Sequence, residues 1–206
     1  FSYEDEVAAF FMAHLLAGRT RLGTELGLIR KVHFQARDME YPFDDLVLEF
    51  DGGPGKPLRR LALSIKSDRQ VTQKRFRGDF VQAAWEHWLG IQPTNFQPDH
   101  DLIGLVTGQL AQSVESAWTR LLKQARALRS KPERLVQRLT TPGQSSKIAR
   151  QLFSSLQCPQ ELQSNRSIDA VETVKLIRHI RLLHLDFQRS ASRDEADAIN
   201  VCRSVV

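Results

Sequence analysis

The chain has 206 residues, of which 41% are hydrophobic and 26% charged, and it carries a net charge of +5. This composition is typical of a folded globular protein and excludes a disordered or fibrous one, and the length allows one sizeable core or a core with an appended subdomain. The positive charge, with an isoelectric point near 9.5, favours a polyanionic partner and does not bear on the fold.

The two cysteines, Cys158 and Cys202, are isolated in the sequence. They form neither the CxxC pairs of a structural zinc site nor the framework of a disulfide-rich secreted protein, so we expect a reducing cytoplasm. The most apolar run, Val7 to Leu16, is interrupted by His14 and preceded by three acids, so it is too short for a membrane span and is not flanked like a signal peptide. Because the chain begins at Phe1, we expect it to be part of a longer polypeptide.

The first predicted element is a helix that ends near Ala17. Ser2-Tyr3-Glu4-Asp5 fits a capping box at its start. Glu4 precedes the apolar stripe by three residues, so we expect its carboxylate to point toward the core; the alternative is a first-turn acid favoured by the helix dipole. The predicted stripe consists of Val7, Phe10, Phe11, His14 and Leu15.

A strand is predicted from Leu28 to Phe34, and an antiparallel hairpin follows it. The runs Asp45–Phe50 and Arg60–Lys66 both alternate, and the connector between them contains three Gly and two Pro. The core face of the hairpin is predicted to consist of Leu46, Leu48, Phe50, Leu61, Leu63 and Ile65. The opposite face carries Asp45, Val47, Glu49, Ala62, Ser64 and Lys66.

The register of this hairpin decides which polar groups meet. We place Phe50 opposite Leu61, which puts Asp45 opposite Lys66 and Val47 opposite Ser64. Glu49 would then lie about 13 Å from Asp45, too far to share one metal ion.

The stretch after the hairpin is basic, with Arg69, Lys74, Arg75 and Arg77 against a single Asp. Such a loop can hold a phosphate backbone, and a merely solvated loop is the alternative. A helix is then predicted from Asp79 to Leu89, with its two tryptophans in the core. The continuous apolar run Asp101–Gly108 predicts a strand buried on both faces beside the hairpin.

The rest of the chain is predicted to be mostly helical. A long amphipathic helix over Leu110–Leu128 is followed by shorter helices over Leu135–Leu139 and Ser145–Leu156. Val174–Phe187 predicts a late strand, although a helix through Ile168–Ile180 competes for its first half. A terminal helix is expected from Ser192 to Val206. The predicted division is therefore a core over residues 1–110 and a helical elaboration with a late strand over 111–206, packed on the same core.

Asp45 near a strand start, a turn, and Ser64-Ile65-Lys66 at the end of the next strand together resemble the core motif of the PD-(D/E)xK nucleases. This part of the sequence, roughly residues 1–110, is similar to Mrr-like restriction endonucleases and to the effector nucleases of antiviral STAND and CBASS proteins. The resemblance implies an α/β fold, with a restriction-endonuclease-like mixed sheet flanked by helices and an α-helical elaboration.

The same resemblance implies roles for individual residues. Asp45 and the Ile65 carbonyl would bind Mg²⁺ or Mn²⁺, Lys66 would orient the water and stabilise the phosphorane charge, and Glu4 would assist. Ser64 departs from the family, which has Glu, Asp or Gln there, and could hold a metal-bound water instead.

The predicted function is thus a Mg²⁺-dependent endonuclease of double-stranded DNA, acting as the effector of a larger antiviral defence protein. We expect a homo-oligomer formed through C-terminal regions outside this chain. Ser64 motivates an alternative, a catalytically inactive nuclease-fold module that binds nucleic acid or a protein. A third hypothesis is a protein-interaction domain whose basic helix end, Arg120–Lys131, contacts an acidic partner.

Overall fold

The structure is a computed structural model that describes residues 2–19, 22, 26–34, 43, 45–51, 58–91, 95–163, 168–187 and 193–203. Its helices are α1 (Tyr3–Leu16), α2 (Gly78–Trp88), α3 (Gln112–Ala127), α4 (Pro132–Thr140), α5 (Lys147–Ser155), α6 (Ala170–His179) and α7 (Arg193–Arg203). Its strands are β1 (Ile29–Phe34), β2 (Leu46–Phe50), β3 (Arg59–Lys66), β4 (Leu102–Thr107) and β5 (Ile180–His184). The prediction of an α/β fold is confirmed. Asp44, Ser192, residues 35–42 and residues 52–57 of the predicted hairpin connector lie outside the described residues.

The chain divides into two compact units, each built from separate stretches of sequence. The sheet unit consists of Phe1–Asp68, Pro93–Gln109 and Arg181–Val206, and the helical unit consists of Arg69–Gln92 and Leu110–Ile180. The sequence predicted a division near residue 110; the helical unit also includes the earlier stretch with α2, and the sheet unit also includes α7.

Within the described residues, the sheet has five strands in the order β1-β2-β3-β4-β5. Strands β1, β2 and β3 pair antiparallel, and β3 and β4 pair parallel, so the sheet is mixed as predicted. Helix α1 begins with the expected capping box between Ser2 and Asp5. Its apolar stripe packs with one face of the hairpin, and this core contains Val7, Phe10, Phe11, Leu46, Leu48, Phe50, Leu61, Leu63 and Ile65.

The predicted hairpin register is wrong by two residues. Phe50 pairs with Arg59 rather than Leu61, and Leu61 pairs with Leu48. A shift of two leaves every side chain on its predicted face, because side chains alternate with a period of two. The observed register places Glu49 opposite Arg60. A buried carboxylate thereby gains a cationic partner that the predicted register, with Ala62 opposite it, would not supply.

The helical unit is organised around Trp85. The side chain is fully buried, and its indole nitrogen donates a hydrogen bond to the Leu156 carbonyl at 2.9 Å. Phe76 packs against both Phe80 and Trp118, with ring centroids 5.9 and 5.3 Å away. The prediction that Trp85 belongs to the core is confirmed, whereas Trp88 is half-buried.

The sequence after residue 168 allowed either a helix or a late strand, and the structure contains both in succession. Asp169 caps α6 by accepting a hydrogen bond from the Glu172 amide at 3.0 Å, and the helix runs to His179. Strand β5 then begins at Ile180. The competing helix therefore occupies the first half, and the late strand is confined to the second. No helix in the described part of the chain is both long and apolar enough to cross a membrane.

Acid is expected to destabilise the helical unit through His87. This side chain is buried in the last turn of α2, and burial lowers its pKa from 6.5 to about 4. Between these values the unfolded chain binds a proton that the folded unit does not, so the stabilising effect of a neutral His87 is present above pH 6.5 and is lost as the pH falls toward 4. Melting temperatures between pH 7 and pH 4 should therefore fall less steeply for His87→Gln than for the wild type. Parallel curves for the two proteins would contradict this.

Candidate functional site

The candidate site lies in the sheet unit, where β2 begins and β3 ends. Asp45 immediately precedes β2, and its Oδ2 atom accepts hydrogen bonds from the Ile65 amide at 2.6 Å and from Lys66 Nζ at 3.3 Å. The Asp45 side chain is 20% exposed and that of Lys66 is 42% exposed. The structure therefore brings two of the predicted catalytic residues together as a partly buried ion pair with access to solvent.

The Ile65 carbonyl lies on the Asp45 side of β3. The ladder between β2 and β3 ends at the pair Leu46–Leu63, so Asp45 takes the Ile65 amide that a longer β2 would have bound. The next carbonyl along β3, that of Lys66, accepts the Gly108 amide at 3.3 Å on the opposite side. Because the N–H and C=O of one strand residue point to the same side, the Ile65 carbonyl is directed toward β2.

Ser64 occupies the position where the resemblance expects an acid. Continuing the register by one residue beyond Leu46–Leu63 places Ser64 directly opposite Asp45, with Lys66 diagonal to it. Ser64 is 8% exposed and shares the face of Asp45 and Lys66. The serine hydroxyl is therefore beside the ion pair, and it adds a neutral group where a second negative charge was expected.

Glu4 does not point toward the core, so its expected orientation is wrong. It is exposed on the first turn of α1, while Tyr3, four residues before Val7, takes the inward position. The Tyr3 hydroxyl donates a hydrogen bond to the Leu185 carbonyl at 2.7 Å. Burial, together with the charges of Asp194 and nearby acids, raises the pKa of Tyr3. The assisting role of Glu4 stays a prediction.

The four predicted DNA-binding residues belong to the helical unit. Arg69, Lys74, Arg75 and Arg77 are all exposed, and Arg77 forms an ion pair with Asp79 at 3.0 Å. A bridge between Val71 and Phe76 closes the loop. Inside it, the Thr72 hydroxyl accepts the amides of Lys74 and Arg75 at 3.2 Å each. The loop is an ordered turn that presents cations to solvent, and its contact with DNA stays a prediction.

A second ionic group, around Glu49, was not assigned a role from the sequence. Glu49 is 5% exposed, and its carboxylate lies 3.3 Å from Arg60 Nε, 3.6 Å from His33 Nε2 and 3.8 Å from Lys31 Nζ. The signal was present in the alternation, which put Glu49 on the charged face of the hairpin. Surrounding cations balance this buried carboxylate, so the group ties β1, β2 and β3 together.

The acidic turn before β4 is structural. Residues 98–100 form a turn. Asp101 is buried and accepts hydrogen bonds from the amides of Gln97 and Arg60 at 2.9 and 3.2 Å. Burial raises the pKa of this carboxyl. Asp101 therefore fixes the turn and the start of β3.

A magnesium ion needs only a few ligands from the protein. Within the described residues, no group of three or more His, Cys, Asp or Glu side chains is arranged to hold a metal. Mg²⁺ is commonly bound by one or two carboxylates, with waters and substrate phosphates completing its coordination. Asp45 and the Ile65 carbonyl, two oxygen donors on the same side of β3, fit one such ion.

No protein family model and no curated protein sequence matches the chain. Its fold is similar to the Cap4 SAVED/CARF-domain containing receptor of Acinetobacter baumannii with the cyclic trinucleotide 3'3'3'-cAAA, with a TM-score of 0.51 and 9% identity over 100% of this chain and 35% of that chain. The corresponding receptor of Moraxella osloensis gives a TM-score of 0.47 and 11% identity, over 99% of this chain and 36% of that chain. The chain thus spans about a third of the length of these receptors, and it shares a fold with the Acinetobacter protein.

Proposed function

We propose that this chain hydrolyses phosphodiester bonds in double-stranded DNA with Mg²⁺ as cofactor. The observation that carries the proposal is the convergence of Asp45, the Ile65 backbone and Lys66 at the open end of the hairpin. A carboxylate and a carbonyl oxygen can hold a divalent cation, and an ammonium group can neutralise a phosphate beside it.

Each group has a definite task in this proposal. Asp45 and the Ile65 carbonyl would hold the ion, which when bound supplies a Lewis acid and lowers the pKa of coordinated water. Lys66 stabilises the negative charge that develops on the phosphate and donates a hydrogen bond to the attacking water. The Ile65 amide orients the Asp45 carboxylate through their 2.6 Å hydrogen bond.

We further propose that the chain is the effector part of a larger antiviral defence protein. Two similarities support this setting: the Asp45 and Ser64-Ile65-Lys66 motif resembles that of effector nucleases, and the fold is similar to about a third of a receptor described with a cyclic trinucleotide. In this proposal nucleotide sensing belongs to other parts of the larger protein. Assembly into oligomers would raise the local concentration of nuclease sites on DNA.

Ser64 favours a second candidate function, a nuclease-fold module that binds nucleic acid without cleaving it. A buried hydroxyl opposite Asp45 contributes no negative charge to cation binding. A module of this kind would bind DNA in a salt-sensitive manner and would leave it intact with any divalent metal.

The test is cleavage of supercoiled plasmid DNA in Mg²⁺ or Mn²⁺, with EDTA as the metal-free comparison. Asp45→Asn is expected to lower the cleavage rate by about 100-fold or more, because it removes the carboxylate that holds the proposed ion. The control is Asp51→Asn at the other end of β2, whose carboxylate pairs with Arg30. DNA binding without cleavage by the wild type would support the second candidate, and cleavage by Asp45→Asn at the wild-type rate would overturn the proposed roles.

A further inference from the structure

The two units differ sharply in charge. The helical unit contains 16 Lys and Arg against 7 Asp and Glu, a net charge of +9, whereas the sheet unit contains 13 against 17, a net charge of −4. The modest overall charge of +5 therefore conceals a strongly basic unit. Since a polyanion is attracted to local rather than overall charge, the helical unit is the part of the chain suited to bind one.

The excess charge is concentrated on α3, α4 and the short connection between them. Between Arg120 and Arg138, 7 of 19 residues are Lys or Arg, and Glu133 is the one acid. Six of the seven are exposed and make no ion pair within the part of the chain that the structure describes. We call these six the basic surface: Arg120, Lys123, Arg129, Lys131, Arg134 and Arg138.

The arrangement of the basic surface brings like charges close together. Arg120 and Lys123 are three residues apart on α3, and Arg134 and Arg138 are four apart on α4, so each pair lies on one side of its helix. Arg178 donates a hydrogen bond to the Arg129 carbonyl at 3.3 Å. Burial, with the neighbouring charge of Arg129, lowers the pKa of Arg178. Like-charge pairs at this spacing destabilise a helix, and the attraction of a bound anion would offset that repulsion.

The chemistry of the basic surface fits phosphates better than a protein partner. The core of a protein interface depends on buried aromatic or aliphatic anchors, which a surface of Arg and Lys side chains alone does not supply. The large hydrophobic side chains that are exposed among the described residues all lie outside α3 and α4: Leu16, Leu28, Phe34, Leu58, Ile91 and Ile199. Cations without an apolar anchor are typical of sequence-independent contact with a nucleic-acid backbone.

We propose that the basic surface binds the phosphate backbone of duplex DNA and is the main determinant of DNA affinity in this chain. The choice of DNA as the polyanion rests on the proposed function. The loop with Lys74 and Arg75 contributes further cations at the N-terminal end of α3, where Gln73 donates a hydrogen bond to Ser113 at 3.1 Å. Binding of this kind depends on charge and not on base sequence.

The experiment measures the affinity of the chain for a fluorescent 30-base-pair duplex between 50 and 300 mM salt, in EDTA so that no cleavage occurs. The test variant is Arg120→Gln/Lys123→Gln/Arg134→Gln/Arg138→Gln. Each lost phosphate contact reduces the slope of log affinity against log salt by about 0.9, so the four substitutions should reduce it by about 3 to 4 and weaken binding at least tenfold. Circular dichroism checks that the helices remain folded.

A matched pair of double variants separates local from overall charge. Arg120→Gln/Lys123→Gln should reduce the slope by about 2, whereas Arg19→Gln/Arg203→Gln, an equal change in charge at exposed sites of the sheet unit, should leave it unchanged. Equal slopes for the two double variants would overturn the proposal. Polyglutamate that displaced the fluorescent duplex as effectively as unlabelled DNA does would also overturn it. Wild-type protein that binds the duplex through the basic surface but does not cleave it in Mg²⁺ would mean that the proposed chemistry fails while this proposal stands.

Discussion

Replacing Lys66 by methionine is expected to slow plasmid cleavage by about 100-fold to 1000-fold, the loss typical of removing one group that stabilises transition-state charge. Methionine retains the length and apolar stem of the side chain but has no ammonium group. The charge that lies 3.3 Å from Asp45 is thereby removed. Duplex affinity should change by less than about threefold, because one cation near the site contributes a single phosphate contact.

The control for this prediction is Lys31→Met. Lys31 is an exposed lysine of the same unit that lies near Glu49 rather than Asp45. The same loss of charge at this position should leave the cleavage rate within about twofold of the wild type, as expected for a surface substitution away from the site. Equal rate losses in Lys31→Met and Lys66→Met would mean that overall charge, and not the position of Lys66, controls cleavage.

Truncating Trp85 to alanine is expected to lower the free energy of unfolding by about 3–5 kcal/mol, the range for a fully buried aromatic side chain. The substitution opens a cavity in the helical unit and removes the 2.9 Å hydrogen bond to the Leu156 carbonyl. Trp85→Phe keeps much of the volume but leaves that carbonyl without its donor, and should cost about 2 kcal/mol.

Guanidinium unfolding followed by far-ultraviolet circular dichroism measures both changes. The matched variant is Trp88→Phe on the same helix, where the half-buried indole makes a long 3.4 Å hydrogen bond to Glu172. Its cost should be below about 1 kcal/mol. A larger loss for Trp88→Phe than for Trp85→Phe would show that the helical unit is not organised around Trp85.

The hairpin shows what an alternating pattern can and cannot predict. The alternation predicted which face each side chain occupies, and the six apolar residues of one face lie in the core cluster with α1. Most of the opposite face is buried as well, which the alternation did not predict. The register could not be read from it, since shifts of two residues preserve the pattern. The pairing of Glu49 with Arg60, which the pattern alone did not select, accompanies the observed register.

The site was predictable where it depends on strand pairing and not where it depends on side-chain orientation. Asp45 and Lys66 lie together because Asp45 precedes β2 and Lys66 ends β3, so both are at the open end of one hairpin. The inward side chain at the start of α1 is Tyr3 rather than Glu4. Tyr3 is four residues before the buried Val7 and Glu4 is three before it, and a spacing of four is closer to one helical turn of 3.6 residues. The grouping of α2 with the later helices depends on contacts between distant stretches, such as that of Trp85 with Leu156, which local patterns do not contain.

A double-mutant cycle on Asp45 and Lys66 shows whether the two side chains act together in DNA cleavage. The quantity measured is the single-turnover rate constant for DNA cleavage by Asp45→Asn, Lys66→Met and the double variant, with protein in excess over DNA. If the two side chains act as one catalytic unit, the double variant should be no more than about threefold slower than the slower single variant. Wild-type rates in the single variants, or a loss in the double variant equal to the product of the two single losses, would contradict the account.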